Sequence, residues 1–143
     1  MKITTTVSRI LLGVIFAFAG ASVFFLIANP PPLPPGLAGA FQDVFFKSGW
    51  VLFVDCVELI TGLLLLTNRF VPLALVVLAA VIANILTFHI TMMPAGLPVA
   101  LFVTLLWTVT ALPYRSTFAP LLVWRPEPVE NSSAALRAEH ARG

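Results

Sequence analysis

Residues 50–91 read WVLFVDCVELITGLLLLTNRFVPLALVVLAAVIANILTFHIT, and their reading decides the fold. Asp55, Glu58 and Arg69 are the only formal charges in the stretch. Its apolar runs are continuous rather than alternating, which favours helices over half-buried strands. An isolated strand in lipid would also leave its backbone groups unpaired. Thr67-Asn68-Arg69-Phe70 divides the stretch into two parts, each near the roughly 20 residues that cross a bilayer. We expect helical spans at about residues 50–67 and 71–90, joined as a tight antiparallel hairpin.

Two further apolar stretches flank the hairpin, at about residues 7–28 and 97–112. Pro94 and Gly96 mark the break before the last one. The first has a positive start (Lys2, Arg9) and small residues at Ala19-Gly20-Ala21, as a cleavable signal peptide would. Its apolar run continues through Phe24-Phe25-Leu26-Ile27, beyond the usual 7–15 residues of such a segment. It is therefore expected to stay as an anchor. Gly13, Ala17, Gly20 and Ala21 lie near one face of it, the small-residue pattern that lets helices approach closely in lipid.

Composition agrees. Of 143 residues, 59% are hydrophobic and 10% charged, against roughly 45–50% and about 25% in soluble domains. Mean hydropathy is +1.02. Between Ile10 and Leu122 the charges are Asp43, Lys47, Asp55, Glu58, Arg69 and Arg115. Such a chain cannot cover itself with polar surface, so lipid is its solvent and the bilayer its first partner. A net charge of +2 with no basic, aromatic-interleaved run argues against nucleic acid. The single cysteine, Cys56, forms no internal disulfide or redox pair and is expected to be a small buried packing residue.

Positive residues near the span ends set orientation. With four crossings, Lys2, Arg9, Arg69, Arg115 and Arg125 fall on one side and Lys47 on the other. The expected fold is an all-α integral membrane antiparallel four-helix bundle, N-in and C-in. It occupies residues 1–124, and 125–143 form a flexible cytoplasmic tail. In the outer loop, Pro30-Pro31-Pro32-Leu33-Pro34-Pro35 is expected to be extended. Residues 41–47 are expected to form a short interfacial helix, a connector or a lid. Trp50 on one side, and Tyr114, Phe118 and Trp124 on the other, make aromatic belts.

Asp55 and Glu58 are the residues most able to carry chemistry. At helical rise they lie about 7 and 12 Å below Trp50, three residues apart and on one face with Gly62. Carboxylates at such depth face a bundle interior or water and mark functional sites by default. Close together and desolvated, the pair is expected to hold at least one proton. On the returning helix, Asn84 falls at roughly the depth of Glu58 and His89 nearer Asp55. However, Asn84 and His89 point about 140° apart on a straight helix. Glu58, Asp55, Asn84 and His89 are thus candidates for ligand binding or proton handling, or else glue between helices. Thr104, Trp107 and Thr108 share a face that can line the same cavity. One embedded histidine with two carboxylates is a poor metal set, so no metal is expected. No catalytic constellation is visible.

The series Arg9-Ile10-Leu11-Leu12-Gly13, Val57-Glu58-Leu59-Ile60-Thr61-Gly62, Thr67-Asn68-Arg69-Phe70-Val71-Pro72, Asn84-Ile85-Leu86-Thr87-Phe88-His89, Pro94-Ala95-Gly96-Leu97-Pro98 and Tyr114-Arg115 resembles the DoxX-like family. These are small bacterial four-helix membrane proteins, and the resemblance covers about residues 9–122. It implies a bacterial inner-membrane protein in which Glu58, Asn84 and His89 stand where the family carries those types. Family members are associated with a terminal quinol oxidase, thiosulfate oxidation and membrane oxidoreductase complexes. Two departures alter the site's charge. A lysine often precedes the glutamate by three, where this chain has Asp55. An Asn-Lys pair often follows the first-helix glycine, where this chain has Ser22-Val23.

Together with these polar residues, the resemblance implies an accessory subunit whose pocket around Glu58 holds a quinone-like or lipidic ligand near a membrane oxidoreductase subunit. Glu58 would relay a proton and Asn84 donate a hydrogen bond, with no covalently bound cofactor. The alternatives are a small proton-coupled transporter acting as a homo-oligomer, or a scaffolding protein whose polar cluster is structural.

Overall fold

A computed structural model describes residues 2–124, and among them all regular structure is helical. The expected tail at 125–143, with Arg125, lies outside the described residues. The main helices are α1 (Lys2–Ala28), α2 (Leu37–Lys47), α3 (Trp50–Leu66), α4 (Val71–Thr91) and α5 (Leu97–Ala111). Short turns and α6 (Arg115–Phe118) carry the last one on to Leu122. Three helical segments are long and apolar enough to cross a membrane: Ile3–Ala28, Val71–Thr91 and Pro94–Leu122. α3 meets that test only together with α2, from which it bends by 85°. Its 17 residues span about 26 Å at helical rise, just short of a hydrocarbon core of about 30 Å.

Local chemistry sets the helix ends. Prolines 30–32 exclude helix after α1. Gly36 and Gly49 flank α2 at φ 74° and 75°, a region costly for residues with a Cβ. Gly49 turns the chain sharply from α2 into α3. α2 begins at Leu37, earlier than expected, and an Asp43–Lys47 pair at 2.8 Å supports its last turn.

The turn after α3 is a Schellman cap. Asn68 sits at φ 57°, its N–H donating to Leu65 O at 3.3 Å, and the Arg69 N–H donates to Leu64 O at 3.0 Å. Asparagine tolerates the left-handed region better than most residues, so these four residues suffice to reverse the chain. Pro72 in the first turn of α4 then costs no hydrogen bond.

α1 packs most extensively against α3. Gly13 lies against Leu66 and Gly62, Gly62 against Ala17, and Gly20 against Asp55 and Leu59. Register falls along α3 as it rises along α1, so the two run in opposite directions. Ala21, expected on this small-residue face, is exposed instead.

Leu12, Phe16, Leu65, Leu75 and Leu78 form the centre of the core. Phe18, Phe24 and Phe25 of α1 point outward. Cys56 is exposed, correcting the expectation that it is buried. Two residues before Glu58, it falls on nearly the opposite side of α3, which faces away from the core.

Polar contacts add directionality between helices. Arg9 donates to Leu65 O at the end of α3, adding to the Asn68 N–H that the same carbonyl accepts. Ser8 Oγ donates to Leu106 O at 2.8 Å, and Thr110 Oγ1 lies 3.2 Å from Ser8 Oγ, fully buried between α1 and α5. Trp107 Nε1 donates to Leu75 O at 2.9 Å, tying α5 to α4. We predict that Trp107→Phe lowers stability in detergent by about 1 kcal/mol, the usual net value of one hydrogen bond. A denaturant midpoint equal to wild type would show that this bond contributes nothing.

Candidate functional site

α3 presents two different faces. Val51, Glu58, Gly62 and Leu65 are buried on the side toward α1. Glu58 is 8% exposed; its carboxylate oxygens are not fully enclosed and have no hydrogen-bond partner among the described residues. Asp55 is half-buried one turn away, and its carboxylate likewise makes no bond among them. The spacing of three sets Asp55 and Glu58 about 60° apart around α3, the first half-buried and the second buried.

The structure does not bring the other two candidates to this pair. Asn84 is exposed, and its side-chain amide donates to Ala80 O of its own helix at 2.9 Å. It lines a groove shared with Val54 and Val57, on the side of α3 turned away from α1. His89 sits at the end of α4, with Nδ1 3.1 Å from Met93 O. Its ring meets the Phe88 ring edge-on with centroids 5.2 Å apart and packs directly against Gly96. That position closes the α4–α5 connection and explains why the residue there is glycine. The roughly 140° between Asn84 and His89 on a straight helix accounts for their separation.

On α5, Thr104 and Thr108 donate to Ala100 O and Thr104 O within their own helix, both at 2.8 Å. Among the described residues, no three His, Cys, Asp or Glu side chains gather as a metal site requires.

The groove itself is the feature that sequence reasoning missed. It measures about 540 Å³ and is walled by aromatic rings from three helices. Phe41 and Phe45 of α2 stack at 5.6 Å, and Phe41 meets Phe88 of α4 at 5.4 Å. Trp50 and Phe53 of α3, 5.6 Å apart, complete the aromatic lining. The aromatic residues were visible, but the 85° bend that folds α2 across the α3–α4 pair was not.

The volume falls within the roughly 300–1,000 Å³ of small-molecule sites, which are apolar with few polar groups. Here the Asn84 amide and the Trp50 indole N–H are the polar groups. The second N–H and the carbonyl oxygen of the Asn84 amide make no bond among the described residues, so it can offer a donor and an acceptor to a ligand. Flat rings and isoprenoid chains suit such walls through stacking and apolar burial.

A family model described as DoxX matches residues 4–91, from α1 through α4, and so includes Asp55, Glu58, Asn84 and His89. No curated protein and no solved structure matches the chain.

Proposed function

Since the chain belongs to the DoxX family and is a multi-pass membrane protein, we propose that it is an accessory membrane subunit. It holds a quinone-like or lipidic ligand beside a membrane redox partner. The groove between α2, α3 and α4 carries this reading, because it combines aromatic walls with few polar groups, the Asn84 amide and the Trp50 indole N–H. A flat carbonyl-bearing headgroup stacks between Phe53 and Phe88 and accepts a hydrogen bond from Asn84, while its chain leaves into lipid. The chain's own residues bind and orient; they form no covalent bond to the ligand.

The arrangement in the bilayer follows as part of the proposal. α3 runs alongside α1 from Gly20 to Gly13, so if α1 crosses, α3 crosses with it. That makes an antiparallel bundle of four crossings. Arg9 reaches the end of α3, Arg69 lies in the next turn, and Arg115 shares a cleft with Thr4 and Thr5. These cations gather at one end and Lys47 at the other, which supports N-in and C-in orientation in a bacterial inner membrane.

The test is mass spectrometry of lipids and quinones retained after mild-detergent purification. Wild type is compared with Ala80→Trp and Glu58→Gln. Ala80 is exposed and lines the groove, so tryptophan fills the space without disturbing the core. We expect a stoichiometric isoprenoid quinone in wild type and at least about a tenfold loss in Ala80→Trp, equivalent to 1.4 kcal/mol. Nothing specific on the wild type sinks the proposal. Loss on Glu58→Gln alone moves the ligand into the bundle and sinks the groove.

A second reading, proton-coupled transport, is favoured by one observation. Glu58 is a buried carboxylate with no hydrogen-bond partner among the described residues, as expected of a group that takes up and releases protons. Proton flux into vesicles that disappears in Glu58→Gln would carry that reading.

A further inference from the structure

At the opposite end of the molecule from the aromatic groove, a cleft of about 480 Å³ lies between the first turns of α1 and the end of α5. Thr4, Thr5 and Arg115 are its polar lining, and Val109, Leu112 and Pro113 form an apolar wall. Arg115 is exposed and has no ion pair or hydrogen bond among the described residues. The cleft thus pairs a guanidinium with a hydroxyl from a neighbouring helix, directly beside apolar side chains.

We propose that this cleft holds the headgroup phosphate of an anionic phospholipid. A guanidinium presents a planar fork of donors that matches two phosphate oxygens at once, and the Thr4 hydroxyl adds a third donor. The apolar wall explains why a lipid is the occupant rather than a free anion. Val109 and Leu112 continue the α5 surface toward the membrane and receive the upper acyl segments, whereas a free phosphate would leave that wall bare. The chemistry resembles other basic pockets that bind lipid headgroups where helices emerge from the bilayer. It makes no use of the groove, so its fate is separable from that of the proposed ligand.

The test uses the purified full chain in bilayer discs of phosphatidylglycerol mixed equally with phosphatidylcholine, with retained lipid counted by native mass spectrometry. Wild type is expected to retain one phosphatidylglycerol, preferred at least about fivefold, the effect of one well-placed cation near a lipid surface. Arg115→Gln loses that preference. Arg69→Gln keeps it, since Arg69 is equally exposed at the same end but lines no part of the cleft. Thr4→Val, a second exposed position, gives a several-fold loss without touching the charge and serves if Arg115→Gln misfolds.

Equal retention of both lipids by the wild type overturns the proposal. So does an Arg69→Gln loss as large as that of Arg115→Gln, which would mean a diffuse charge effect. Displacement of the lipid by millimolar inorganic phosphate also overturns it, assigning the cleft to a free anion.

Discussion

Gly62→Val prevents α1 from seating against α3 and costs about 3 kcal/mol or more, at the upper end of overpacking penalties. A Cβ at Gly62 would collide with Ala17 N and lie 2.9 Å from both Ala17 Cα and Gly13 O, so the obstacle is backbone on every side. No rotamer change relieves it, and α1 must move as a unit. Gly20→Val meets the same barrier in Asp55 O and Leu59 N. In lipid the loss is not offset by hydrophobic attraction between helices, because the surrounding chains are equally apolar. Close packing carries the association.

Gly13→Ala provides the contrast. Its nearest atom is the side-chain Leu66 Cγ at 2.9 Å, and the backbone Gly62 O stands at 3.1 Å, further off than the backbone around Gly62, so the expected loss is smaller. Denaturation in mixed detergent micelles checks this. A Gly62→Val protein that unfolds at the wild-type midpoint would show that α1 and α3 do not approach this closely.

Glu58→Met raises stability. Glu58 is 8% exposed and no donor meets its carboxylate among the described residues, so its partial desolvation carries a cost that no partner offsets. Methionine fills similar space without that cost, so an unfolding midpoint above wild type is expected. Asp55→Asn, at a half-buried position, is expected to change little by comparison. If Glu58 were glue between helices, Glu58→Met would lose stability, and a lowered midpoint would sink the expectation. A residue that costs stability where it stands is retained for another reason, which links the measurement to the proton-handling reading. Glu58→Met tested for both stability and proton flux separates the two roles.

Much of this was legible in the residues. The division at Thr67-Asn68-Arg69-Phe70 marks the turn, because an asparagine in the left-handed region followed by Pro72 suits a reversal and little else. Glu58 was identified by depth and helical phase, and it is buried on the face shared with Gly62. The small-residue pattern of α1 pointed to close packing, although it did not exclude Ala21 from the contact. The pairing of Glu58 with Asn84 failed for a geometrical reason. Depth can be counted from helical rise, but which flank of α4 meets α3 depends on how the helices roll against each other. That roll is set by Leu75 and Leu78 entering the core and by Trp107 bonding Leu75 O. Asn84, on another side of the helix, is left facing the groove.

What the sequence by itself determined is therefore what depends on local transfer energies and local backbone rules. These are the apolar helices, their breaks at proline and glycine, and the reversal at residues 67–70. Each follows from a few neighbouring residues whatever the rest of the chain does. Only the tertiary structure decided which faces meet. The 85° bend at Gly49 lays Phe41 and Phe45 beside Phe88 and makes a groove from residues that read as a membrane-interface belt. The approach of α1 to α5 makes a cleft at the other end. Both depend on distant side chains packing together, and a one-dimensional pattern does not record the rotation of one helix about its axis relative to the next.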